Sequence, residues 1–109
     1  MKPALNADCH ELRSLIRECE AANDKLLVAQ AALRSKILST RQHEEVPQGA
    51  GQDVLILLQK IDDRSVQSGN DFFRAHNRLS DLYRELGGPD HDVVTRPTGF
   101  AAPARETAA

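Results

Sequence analysis

A column of residues recurring every seven positions constrains this chain more than any other feature. Leu5, Leu12, Leu26 and Leu33 belong to it, and Cys19 fills the middle place. A seven-residue recurrence lays side chains along one stripe of an α-helix, and a stripe this long asks for a lengthwise neighbour. Asp8-Cys9-His10-Glu11 has the form of a capping box, in which Asp8 and Glu11 satisfy backbone N–H groups at a helix start. The spacing therefore predicts a helix over 8–43, after a short lead at 1–7. Its apolar face carries Leu12, Leu15, Ile16, Cys19, Ala22, Leu26, Ala29, Leu33 and Ile37. Asn23 and Gln30 sit at the edge of this stripe, where they either fix the register of a partner helix or face water.

The segment 44–52 breaks the pattern. Pro47 cannot continue a helix, and Gly49 and Gly51 admit turn conformations. A second helix is predicted over 53–86, with Leu58, Ser65, Phe72, Leu79 and Leu86 in one seven-residue column. Val54, Ile61, Ser68, Ala75 and Leu82 form a companion column. Ser68-Gly69-Asn70-Asp71 offers an alternative, a break with a fresh N-cap that would make three helices. Leu86-Gly87-Gly88-Pro89 is a stop signal. Residues 88–109 carry no periodicity and read as a flexible tail, with Val93, Val94 and Phe100 its only bulky apolar groups.

Two helices of similar length joined by a short connection are antiparallel neighbours. The expected fold is thus all-α, a long antiparallel helical hairpin at 8–87. With the turn centred at Gly49, Leu12 pairs with Leu86, Ile16 with Leu82, Cys19 with Leu79, Leu26 with Phe72, and Ala29 meets Gly69. The same register levels Arg13 with Glu85, Arg17 with Asp81, Glu20 with Arg78 and Asp24 with Arg74. It leaves over Leu15, Ala22 and Ala29 on one helix and Leu55, His76 and Tyr83 on the other. Leftover apolar flanks call for further burial, so these six are the expected partner or dimer interface. A homodimeric four-helix bundle is the expected assembly, with another protein as a second partner.

Composition narrows the function classes. The 14 basic and 16 acidic residues are interspersed, and the basic stripe of a nucleic-acid-binding surface is missing. Four aromatic residues make no base-stacking platform. The longest wholly apolar run, Val54 to Leu58, is far short of a membrane span. The opening Met1-Lys2-Pro3-Ala4-Leu5-Asn6 lacks an apolar stretch of signal-peptide length, so the expected compartment is the cytoplasm. Cys9 and Cys19 lie about 15 Å apart along a helix, beyond disulfide reach. Cys19, on the stripe, reads as a small buried hydrophobe.

Chemistry is sparse. His10-Glu11-Leu12-Arg13 resembles the start of the phosphoacceptor box of sensor histidine kinases, which lies on a dimerising helical hairpin. The resemblance implies His10 as phosphoryl acceptor and Glu11 as the acid that activates it; Ser14-Leu15 stands where that family has Thr-Pro. Ala75-His76 followed by Leu79 resembles a histidine phosphotransfer domain, with Leu79 and Ser80 in place of its Lys and Gly. The four histidines are scattered, and no spacing of metal ligands, phosphate-binding loop or nucleophile–base pair is readable. The expectation is a non-enzymatic helical interaction module without cofactor or metal: an adaptor, a regulator or a secretion-type chaperone. The alternatives are histidine phosphotransfer through His10 or His76, and a self-associating coiled coil with a purely structural role.

Overall fold

A computed structural model describes residues 1–89. Two long helices make up the fold: α1, Pro3–Thr40, and α2, Gln52–Glu85. They pack against each other as an antiparallel hairpin, and α2 runs through Ser68-Gly69 without a break. The tail expected at 88–109 lies outside the described residues from position 90 onward.

Helix α1 starts five residues before the expected capping box. Lys2 accepts the first helical hydrogen bond, from the Asn6 N–H at 3.0 Å. Pro3 then occupies the first helical position, where its fixed φ suits the helix and its missing N–H costs nothing. Asp8 and Glu11 are therefore interior residues. The other end unwinds by tightening: the Gln42 N–H bonds the Ser39 carbonyl, and the His43 N–H bonds that of Thr40. The Ser39 and Thr40 hydroxyls both donate back to the Lys36 carbonyl in the last turn. Gly49 and Gly51 then take φ of 83° and 75°, which lets the chain reverse before Gln52.

The seam between the helices is phased differently from the leucine column. The residues of α1 that turn inward are Asn6, Cys9, Arg13, Ile16, Glu20, Asn23, Leu27, Gln30, Arg34 and Ile37, alternately three and four apart. Those of α2 include Leu55, Leu58, Asp62, Ser65, Gly69, Phe72, His76, Leu79, Ser80 and Tyr83. Each leucine of the α1 column stands one residue before an inward position, about 100° away round the helix. Leu5, Leu12, Leu26 and Leu33 are accordingly 41–51 % exposed. The expected register fails with the phase: the close neighbour of Gly69 is Asn23, not Ala29. That is a slip of about 9 Å along the axis. Cys19, expected as a small buried hydrophobe, is exposed, and Cys9 is the buried cysteine.

The chain divides into two compact units. One joins Met1–Glu18 to the chain from Phe72 onward, and the other is Cys19–Asp71.

Polar contacts rather than leucines set the register in the Cys19–Asp71 unit. Asn23 Nδ2 donates to the Ser65 carbonyl at 3.1 Å. Ser65 Oγ donates to Gln30 Oε1 at 3.1 Å, and Gln30 Nε2 to Asp62 Oδ1 at 2.7 Å. The other Asp62 oxygen takes Arg34. Asn23, Gln30 and Ser65 are buried, and a one-turn slip would strand their polar groups. Asn23 and Gln30 thus fix register rather than face water.

Two consequences of this network are measurable. A Cβ at Gly69 would lie 3.1 Å from Asn23 Nδ2, already committed to Ser65. Ala favours a helix interior over Gly by about 1 kcal/mol. Gly69→Ala is expected to be slightly destabilising in the native background and stabilising, by about 1 kcal/mol, beside Asn23→Ala. A denaturant double-mutant cycle reads the change of sign.

The second consequence concerns pH. The Arg34 hydrogen bond holds the Asp62 carboxyl below its ordinary value; burial opposes this, and the Gln30 amide adds to the lowering. A depressed folded pKa gives stability that is complete above the unfolded value of 3.8 and lost as pH falls through the folded one. Acid unfolding curves of the native protein and Asp62→Asn should converge in that acid window and separate above it.

Candidate functional site: an exposed leucine face

In the unit containing both helix ends, Tyr83 is the anchor, at 3 % exposure. Its hydroxyl donates to Asn6 Oδ1 at 2.8 Å, and the Arg13 guanidinium lies over its ring, 5.5 Å from the centroid. The His10 ring is tilted against it at 5.8 Å. Beneath the ring the chain stops in a Schellman turn. The Gly88 N–H bonds the Tyr83 carbonyl, the Gly87 N–H bonds that of Arg84, and Gly87 adopts φ 96°. A Cβ on Gly88 would fall 2.5 Å from the Tyr83 ring, so only glycine fits there.

This packing redistributes the six expected interface residues. Tyr83 and His76 are buried, and Leu55 is half-buried on the inward side of α2. Leu15, Ala22 and Ala29 are exposed on α1, on the flank beside the leucine column. Within α2, Arg78 bonds Glu85 at 3.0 Å, and Arg84 bonds Asp81. His10 is exposed, whereas a phosphoryl donor could reach His76 only by parting the helices.

The outward face of α1 therefore combines two columns. Leu5, Leu12, Cys19, Leu26 and Leu33 form one; Leu15, Ala22 and Ala29 form the other, three residues on. Together they repeat the three-four spacing of a helix-packing seam, with none of the described residues packed on it. Helix α2 repeats the device: exposed Val54, Ile61 and Leu82 each precede an inward residue. In the unit with the helix ends, a groove of about 180 Å³ opens along this edge, lined by Cys9, Leu12, Leu79, Leu82, Tyr83 and Leu86. That volume suits a bulky apolar side chain rather than a small-molecule ligand, whose pockets start at about 300 Å³. Exposed apolar residues scattered singly are ordinary, but a contiguous stripe marks an interaction surface.

No family model, curated protein or solved structure matches this chain. Its function has to be read from the leucine face itself. Among the described residues, no group of three or more His, Cys, Asp or Glu side chains is placed to hold a metal ion. No helix among them is long and apolar enough to cross a membrane.

The sequence offered signals for what its reading missed. Asp62 and Arg34 both fall on three-four spacings through Leu58 and Ile37, so a search for polar seam residues would have found them. Gly88 against Tyr83 had no signal beyond the doubled glycine.

Proposed function

We propose that this protein is a non-enzymatic helical interaction module, an adaptor, regulator or secretion-type chaperone, that engages an amphipathic helix along the leucine face of α1. One observation carries the reading. The hairpin closes on a seam that includes Asn23, Gln30, Arg34, Asp62 and Ser65, and leaves Leu5, Leu12, Leu15, Leu26 and Leu33 of α1 outside. Covering apolar surface is the main favourable term in helix association, so an uncovered leucine stripe on a stable scaffold is suited to receive a helix. The two unpaired cysteines fit a reducing compartment, and we place the protein's action in the cytoplasm.

A photo-crosslinking side chain at Leu26, with a second at the exposed Val28 as control, tests this in living cells. The reading expects adducts from position 26 that are weak or missing from position 28. Equal labelling from both positions, or none from either, would refute it.

A further inference from the structure

We infer that the occupant of the leucine face is a second copy of this chain, its α1 packed antiparallel on the first. This rests on the reading of that face as a binding surface, and adds the partner's identity and direction.

The inference comes from the symmetry of α1. A two-fold axis crossing the helix between Glu20 and Ala21 brings its outward columns into register with themselves. Leu26 then levels with Leu15 of the second copy, Leu12 with its Ala29, and Cys19 with its Ala22. The small pair Cys19 and Ala22 falls nearest the axis, where two backbones approach most closely, with Leu26 against Leu15 and Leu12 against Ala29 further out.

Charge complementarity selects both the partner and the direction. Glu18 and Lys25 share the column that borders this face, one each side of the axis. Under the two-fold operation Glu18 of each chain stands beside Lys25 of the other, giving two opposite-charge pairs. Asp8 and Lys36 close the exposed column of Leu15, Ala22 and Ala29 at its two ends. They too come within a turn of each other across the axis, twice. A parallel pairing would instead set Asp8 beside Asp8 and Lys36 beside Lys36, and would carry the Glu18 and Lys25 columns of the two chains to opposite edges, where they cannot pair. An unrelated helix has no reason to match these four positions, whereas a second copy matches them by symmetry.

Light scattering across a dilution series should give twice the chain mass, falling to one chain mass on dilution. Ala22→Cys, made with Cys9→Ser, should oxidise to a covalent dimer through Cys19 and position 22 of the other chain. Val28→Cys with Cys9→Ser and Cys19→Ser, pointing away from the face, should not. Glu18→Lys and Lys25→Glu should each weaken the dimer several-fold, to about tenfold, because each converts two attractions into two repulsions. The double exchange Glu18→Lys/Lys25→Glu should restore it, and circular dichroism should show unchanged helix content throughout.

A monomer at every concentration would overturn the inference, as would equal crosslinking from positions 22 and 28 or single reversals without effect. The interaction-module reading fails separately. A monomer whose Leu26 crosslinker still captures a different chain retains that reading and loses only the second copy. A monomer without adducts loses both.

Discussion

Replacing Tyr83 by alanine is expected to lower the unfolding midpoint by 10 °C or more. Removing a buried aromatic side chain typically costs about 3–5 kcal/mol. In a domain of this size each kcal/mol moves the midpoint by about 4–8 °C. The setting of Tyr83 argues against a smaller effect. Its ring is the floor on which Gly88 lies, the surface under the Arg13 guanidinium and the neighbour of His10. Its hydroxyl is held by Asn6, in the first turn of α1. Truncation removes all of these at once, and the cavity left behind joins the groove beside Leu12 and Leu82. Tyr83→Phe separates the hydroxyl from the ring: it should cost about 1 kcal/mol, the usual net worth of such a hydrogen bond. Thermal unfolding followed by circular dichroism measures both variants. Equal losses from Phe and Ala would mean that the hydroxyl, not the ring, does the anchoring.

Changing Leu12 and Leu26 together to glutamate should do the opposite: leave the fold intact and abolish association. Both side chains are about half exposed, so neither change buries a charge within the hairpin. Each covered half-leucine contributes about 1 kcal/mol to an interface. In a symmetric dimer the double change removes four of them and sets four desolvated carboxylates against apolar surface. The dissociation constant should rise by at least about a thousandfold, since 1.4 kcal/mol is tenfold. Sedimentation measures the dissociation constant, and helix content from circular dichroism serves as the control. Loss of helix content in this variant would place the two leucines in the fold rather than on a binding face.

The two variants show which parts of the molecule were legible in the sequence. The hairpin was: seven-residue columns, Pro47 with its flanking glycines, and the Gly87-Gly88-Pro89 stop are local signals, and local signals survive into the fold. The inward phase of α1 was not. Hydrophobicity points to the leucine column, and pairing leucines across a seam is the natural expectation for one chain considered alone. The structure uses the neighbouring phase because Asn23, Gln30, Arg34, Asp62 and Ser65 satisfy one another there. Such a network is visible only when both helices are known together, since each member on its own helix resembles a solvated surface residue. The same displacement moved Tyr83 and His76 from a presumed flank into the packing, and left Leu15, Ala22 and Ala29 as the exposed part of the expected interface. On α1, the leucine face expected to form the hairpin seam is the one left exposed.

The Schellman turn that closes α2 has a topological consequence. A Cβ at Gly87 would stand only 3.9 Å from the Met1 amino nitrogen, so the stop of α2 lies beside the start of α1. That junction is then interchangeable with the 41–51 turn as a place to cut. In a chain trimmed after Pro89, a short peptide from there to Met1, with the ring opened between Pro47 and Gly51, should keep both helices and their register. It would also swap which helix is synthesised first.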